Sequence, residues 1–169
     1  MGAIPVANRQ TTLLIDTNVW LDCFLPGRPG QRDALNVVST AIDLGIPLLY
    51  AVTSAKDVFY LVAAVLKREV RMQKGSFSEV DAACASSAAW ACVENMRENA
   101  TAVGADESDL WLACTYRGVH GDLEDNMVLA AARRSNATYL VTSDERLIRH
   151  APVAALAPAD AVEALKALG

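Results

Sequence analysis

The chain has 169 residues, 53% of them hydrophobic and 21% charged, with a net charge of −5 and a sequence pI of about 5.0. That is the composition of one globular domain with a full core. It argues against a protein that grips nucleic acid through a broad basic surface. The longest uninterrupted apolar stretch, Val58 to Leu66, is too short to cross a bilayer.

Residues 1–10, "MGAIPVANRQ", lack a charged region followed by an apolar one, so no secretory signal is expected. They read as a flexible tail on a single domain, and the cytoplasm is the expected location. "TTLLID" then reads as a buried strand and "NVWLDCFL" as the helix after it, broken by "PGRPG" at residues 26–30. A second helix is expected over 32–44, stopping at Gly45. "IPLLYAV" reads as a strand, and "SAKDVFYLVAAVLKREVRMQKG" as a long helix ending at Gly75. One more long helix is expected from Phe77 to about Ala102. "ESDLWLACTYRG" and "LEDNMVLAAARRSN" read as shorter helices, "TYLVT" as a strand and "SDERLIRH" as a short helix. "VAALA" and "PADAVEALKAL" complete the chain as a strand and a helix with Pro158 in its first turn.

Strands alternating with helices imply an α/β domain, a parallel sheet flanked by helices on both faces. In such folds polar chemistry collects beyond the carboxyl ends of the strands. Two apolar runs stop there on an aspartate, "LLID" at Asp16 and "YLVTSD" at Asp144. Asp57 falls near the start of the long helix, and Glu124 and Asp125 at the start of the helix before "TYLVT". Each acid has a plain alternative as a helix cap: Ser54 with Asp57, Asp122 with Asp125 and Thr142 with Glu145 all fit the capping-box spacing. A doubly wound sheet can nevertheless bring all of them to one edge. There their mutual repulsion would call for a cation. A donor set of oxygens without cysteine or histidine suits Mg²⁺ or Mn²⁺, and such sites commonly serve displacement at phosphorus.

The pair of stretches "LLIDTNVWLD" and "GDLEDNMVLAAARRSNATYLVTSDERL" resembles the opening and closing motifs of PIN-domain nucleases, a family that includes the VapC-like toxins of toxin–antitoxin modules. The closing "VAALAPADAVEALKAL" resembles the family's last strand and helix. The resemblance implies a Rossmann-like fold and a Mg²⁺- or Mn²⁺-dependent ribonuclease acting through an activated water. It implies Asp16, Asp57, Asp125 and Asp144 as catalytic metal ligands, with Glu124 beside them and Asn18, Thr142 and Ser143 in support. Where Asp57 stands, the family usually has glutamate. The resemblance also implies an RNA substrate, an antitoxin protein as partner and a homodimer. From another class stand a PIN-fold RNA- or protein-binding module without catalysis, and a receiver-like acidic switch. The switch would want an adjacent acidic pair near the first strand and a late lysine, and neither is evident.

Lys67, Arg71 and Lys74 fall on one stripe of the long helix and read either as a solvated face or as a track for RNA phosphates. Arg28 and Arg32 are a second candidate for that role. Asp106, Glu107 and Asp109 are alternative suppliers of an acid to the site and read more simply as solvated helix-start charges. The three tryptophans read as core and the four cysteines as buried, reduced thiols. No phosphate loop, G-x-S-x-G elbow or D-x-D phosphatase motif is present.

Overall fold

A computed structural model of the protein describes residues 11–167. The expected N-terminal tail, residues 1–10, lies outside the described residues. In chain order the elements are β1 (Leu13–Ile15), α1 (Thr17–Phe24), α2 (Gln31–Asp43), β2 (Leu48–Ala51), α3 (Val52–Lys74), α4 (Glu79–Asn99) and β3 (Thr101–Val103). There follow α5 (Glu107–Thr115), a 3₁₀ turn at Tyr116–Gly118, α6 (Leu123–Arg134), β4 (Tyr139–Val141), α7 (Glu145–His150), β5 (Ala155–Leu156) and α8 (Pro158–Lys166). The five strands form one parallel sheet in the order β3-β2-β1-β4-β5.

β1 is covered on both faces, and all three of its residues are apolar and buried. Leu13 and Ile15 point into one core with Val19 and Trp20 of α1, Val37 of α2, Val58 of α3 and Leu165 of α8. Leu14, between them, points the other way, to Val128 and Leu129 of α6 and Leu147 of α7. Burying these side chains supplies the main driving force, roughly 2 kcal/mol for each fully buried Leu or Val.

The chain leaves β1 for β2 on one side, and returns to place β4 on the other. β1 therefore lies at the switch in strand order, the place where an open parallel sheet leaves a crevice at its carboxyl edge. Ile15 is in register with Val141, and the Asp16 N–H donates to the Val141 carbonyl at 3.0 Å. The residues that follow these two strands are thereby brought together.

Four expectations change. β3 occupies residues expected as the end of a long helix. α4 stops at Asn99, and three residues pair with β2 as an edge strand too short to show a period of its own. The long helix begins at Val52 directly after β2, so Ser54 is inside the first turn. Its hydroxyl accepts from Thr17 Oγ1 at 2.8 Å and does not cap the helix. Of the tryptophans only Trp20 is core. Trp90 and Trp111 are exposed: α4 turns Ala85, Ala89 and Met96 inward, and α5 turns Asp109 and Ala113 inward. Cys84 and Cys114 are likewise exposed, although all four thiols are free as expected.

Candidate functional site

Asp16 ends β1 and is the N-cap of α1. Its two oxygens do different work: Oδ1 accepts from the Thr17 N–H at 2.6 Å. Oδ2 accepts from Thr142 Oγ1 at 2.6 Å and from Asn18 Nδ2 at 2.8 Å. Asp144 divides its carboxylate in the same way at the end of β4. Oδ1 caps α7 by accepting from the N–H groups of Arg146 and Leu147, at 2.7 and 3.0 Å. Oδ2 is turned toward the His120 ring. Capping and site membership are thus compatible in one side chain, because a carboxylate has lone pairs for both.

Asn18 and Thr142 tie the two strand ends together. The Asn18 carbonyl oxygen accepts from the Ser143 N–H at 3.2 Å, and Thr142 Oγ1 accepts from the Asp144 N–H at 3.0 Å. Ser143 contributes through its backbone. The expected capping box of Thr142 with Glu145 does not form: the hydroxyl is spent on Asp16, and Asp144 caps α7 instead.

Asp125 enters from the first turn of α6. The cap of that helix is Asp122, whose side chain accepts from the Glu124 N–H at 2.7 Å. Asp125 makes no such bond among the described residues and is turned to His120, with Oδ2 2.8 Å from Nδ1. The Nε2 of His120 lies 3.5 Å from Asp144 Oδ2. His120, Asp125 and Asp144 can each offer an atom within 4.8 Å of the others. Reading the sequence missed His120. The only available signal was its place just ahead of the acidic helix start, as one of two histidines in the chain.

Asp57 and Glu124 form a neighbouring acidic pair. Lys56 Nζ lies 3.2 Å from Asp57 Oδ1 and 3.9 Å from Glu124 Oε1. Asp57 is buried, whereas Lys56 and Glu124 are largely exposed. Glu124 directly precedes Asp125 on α6, and consecutive helix residues face different ways.

The electrostatics fit a group of carboxylates that could hold a cation. Burial pushes the Asp16 carboxyl up to about 6, aided by the charges of Asp125 and Asp144 and opposed by the Thr142 hydrogen bond. Burial also raises Asp125, against the pull of His120. Glu124 is raised by burial and then by the charge of Asp57. Carboxyls held above their ordinary range by burial and by one another are relieved by a bound cation. The carboxylate oxygens among these donors suit Mg²⁺ or Mn²⁺.

A family model described as a PIN domain matches residues 12–146, a stretch holding every residue of this cluster. The chain belongs to the PIN-domain family. No curated protein matches it. PIN domains are generally nucleases that use divalent metal ions, and the carboxylates of this PIN domain have the chemistry that use requires.

The other charged candidates of this PIN domain lie elsewhere. Arg28 pairs with the buried Asp22 of α1, against which Gly30 packs so closely that a Cβ there would lie 2.2 Å from Asp22 Oδ2. Arg28 is a structural cation, and Arg32 is solvated. Asp106 and Asp109 form the capping box of α5, and both bind Arg134 of α6. Asp109 is therefore a buried, paired acid and not a solvated one. Lys67, Arg71 and Lys74 line α3 at roughly 15, 21 and 26 Å beyond Asp57, at about 1.5 Å per residue. Lys74 is bound to Asp81 at 2.6 Å, and the Arg71 guanidinium lies 4.5 Å above the Phe77 ring.

Proposed function

We propose that this PIN domain is a Mg²⁺- or Mn²⁺-dependent endoribonuclease. The observation that carries the reading is the convergence of Asp16, Asp125 and Asp144 at the switch in strand order, inside the family-matched stretch. Asp16, Asp125 and Asp144 would hold the cation, with Asp57 and Glu124 completing the acidic set beside them. When bound, the cation supplies Lewis-acid stabilisation of the phosphate and lowers the pKa of water.

The rest is done by the chain's own side chains. Thr142 and Asn18 fix the Asp16 carboxylate, so no reorientation is needed when a phosphodiester arrives. The caps on Asp16 and Asp144 fix one oxygen of each in the same way. Water attacks phosphorus in line, the bond to the leaving oxygen breaks, and a proton passes to that oxygen. Lys56, reaching over Asp57 and Glu124, offers an ammonium to the incoming phosphate. By the family resemblance, the protein acts as the toxin of a toxin–antitoxin pair and as a homodimer.

Purified protein incubated with labelled RNA tests the reading. Cleavage is expected with Mg²⁺ or Mn²⁺, none with EDTA, and none from Asp144→Asn with its fold intact. Binding of RNA without cleavage in any divalent metal would make this a PIN-fold binding module.

A further inference from the structure

His120 stands between Asp125 and Asp144, and two hydrogen bonds hold the backbone that carries it. Asn126 Nδ2 donates to the His120 carbonyl at 2.8 Å, and Arg146 Nε donates to the Val119 carbonyl at 2.6 Å. Asn126 follows Asp125 on α6, and Arg146 belongs to the first turn of α7 behind Asp144. The imidazole is therefore positioned by the same two helix starts that position the carboxylates. A solvated surface histidine needs no such anchoring.

Nδ1 has two neighbours that demand opposite things of it. Asp125 Oδ2, at 2.8 Å, requires a proton on Nδ1, whereas the Asp122 N–H, at 3.2 Å, requires a lone pair. The shorter contact is to an ionisable acceptor and is the stronger of the two. That contact holds the Nδ1 side of the ring and leaves Nε2 as the nitrogen facing Asp144 Oδ2 at 3.5 Å. A carboxylate holding the remote nitrogen of an imidazole, so that the other is presented to a cation, is the usual support of a metal-ligating histidine.

We infer that His120 Nε2 is a nitrogen ligand of the metal centre, sharing the cation with Asp144 while Asp125 orients the ring. The inference rests on the reading of a cation-dependent nuclease and goes further by making the donor set mixed. Mg²⁺ favours oxygen ligands, whereas imidazole suits first-row transition metals. His120 thus biases the site toward Mn²⁺ over Mg²⁺.

Pulsed electron paramagnetic resonance on the full chain loaded with Mn²⁺ reads the ligand directly. The expected spectrum shows coupling to a ¹⁴N nucleus, replaced by a ¹⁵N signature when the histidine rings are isotope-labelled. The chain has only two histidines, so His150→Ala separates them; that variant should keep the coupling. His120→Gln should lose it and weaken Mn²⁺ binding by about 10-fold or more, the scale of losses at residues supporting a metal. Mg²⁺ affinity measured by competition should fall less, so the preference for Mn²⁺ narrows. Bound Mn²⁺ without nitrogen coupling in wild type overturns the role of His120 and leaves the carboxylate centre standing. An unchanged Mn²⁺-to-Mg²⁺ ratio in His120→Gln does the same. Wild type that binds no Mn²⁺ at millimolar concentration overturns this inference and the metal-dependent nuclease together. Should His120→Gln fail to fold, the isotope comparison in wild type decides alone.

Discussion

Thr142 donates its hydroxyl proton to Asp16 Oδ2 at 2.6 Å, joining residues 126 positions apart in sequence. The bond closes the seam between β1 and β4 at the one place where the strand order reverses. It also works against burial, which dominates and leaves Asp16 with a pKa of about 6 in the folded protein. Asp16 is therefore a residue that the fold ionises at a cost.

That cost appears as a pH dependence of the metal-free protein. The folded pKa of Asp16 is raised above its ordinary 3.8, so the folded state holds the proton more tightly than the unfolded chain. The associated stability is fully present below pH ~4 and is lost as pH rises to ~6, amounting to about 3 kcal/mol. Urea melts in EDTA across this range should show stability falling with pH, and Asp16→Asn should flatten the slope. Thr142→Val removes the hydrogen bond that lowers the Asp16 pKa, and should carry the decline to higher pH. Stability independent of Asp16 throughout would contradict the assignment of its proton.

A second prediction concerns α5 and α6. Asp109 is almost wholly buried, and its partner Arg134 is only partly exposed. Removing one member of such a pair leaves an uncompensated charge inside. Arg134→Ala should cost about 3 kcal/mol in chemical denaturation, while Arg134→Met with Asp109→Leu should recover much of the loss. A loss below ~1 kcal/mol in the single variant would show that the pair is effectively solvated.

The basic stripe of α3 gives a third. Lys74 is already neutralised by Asp81, leaving Lys67 and Arg71 as the cations available to a phosphate chain. Reversing Lys67 and Arg71 to glutamate should reduce the salt slope of RNA binding by about one for each lost contact. Adding Lys74→Glu should change it no further. A slope unmoved by the double change would leave the stripe as a solvated face.

The fold was largely legible because its strands are buried on both sides and so appear as short, uninterrupted apolar runs. "LLI", "LLYA" and "YLV" announce themselves, and the acids after the first and third of them mark the crevice. β3 was hidden because an edge strand of three residues follows an alanine-rich helix with no turn residue between them. Trp90 and Trp111 misled because their helices turn other residues inward. His120 carries no periodic or motif signal. Its role depends on the chain folding back from the 3₁₀ turn onto two helix starts, a relationship visible only in three dimensions. The choice between cap and site was also beyond the sequence, since spacing cannot say which way a carboxylate turns.

Asp125 shows how that choice can be tested without a substrate. The start of α6 is capped by Asp122, so replacing Asp125 by Asn removes a charge without removing a cap. The asparagine carbonyl can still accept from the His120 ring. Burial holds the Asp125 carboxyl above its ordinary range, with the charges of Asp122 and Asp144 adding to the effect. Metal-free Asp125→Asn should consequently be as stable as wild type or more so, by about 1 kcal/mol, the usual scale on which sites trade stability for function. Added cation should then separate the proteins in the opposite sense. A ligand at 100 times its dissociation constant stabilises the folded state by about 2.7 kcal/mol. In a domain of this size that corresponds to a rise of roughly 5–10 °C in melting temperature. Wild type should show such a rise with Mg²⁺ or Mn²⁺, and Asp125→Asn only a small fraction of it. Were Asp125 a structural residue alone, the variant would melt no higher than wild type in EDTA, and the cation would move both proteins equally.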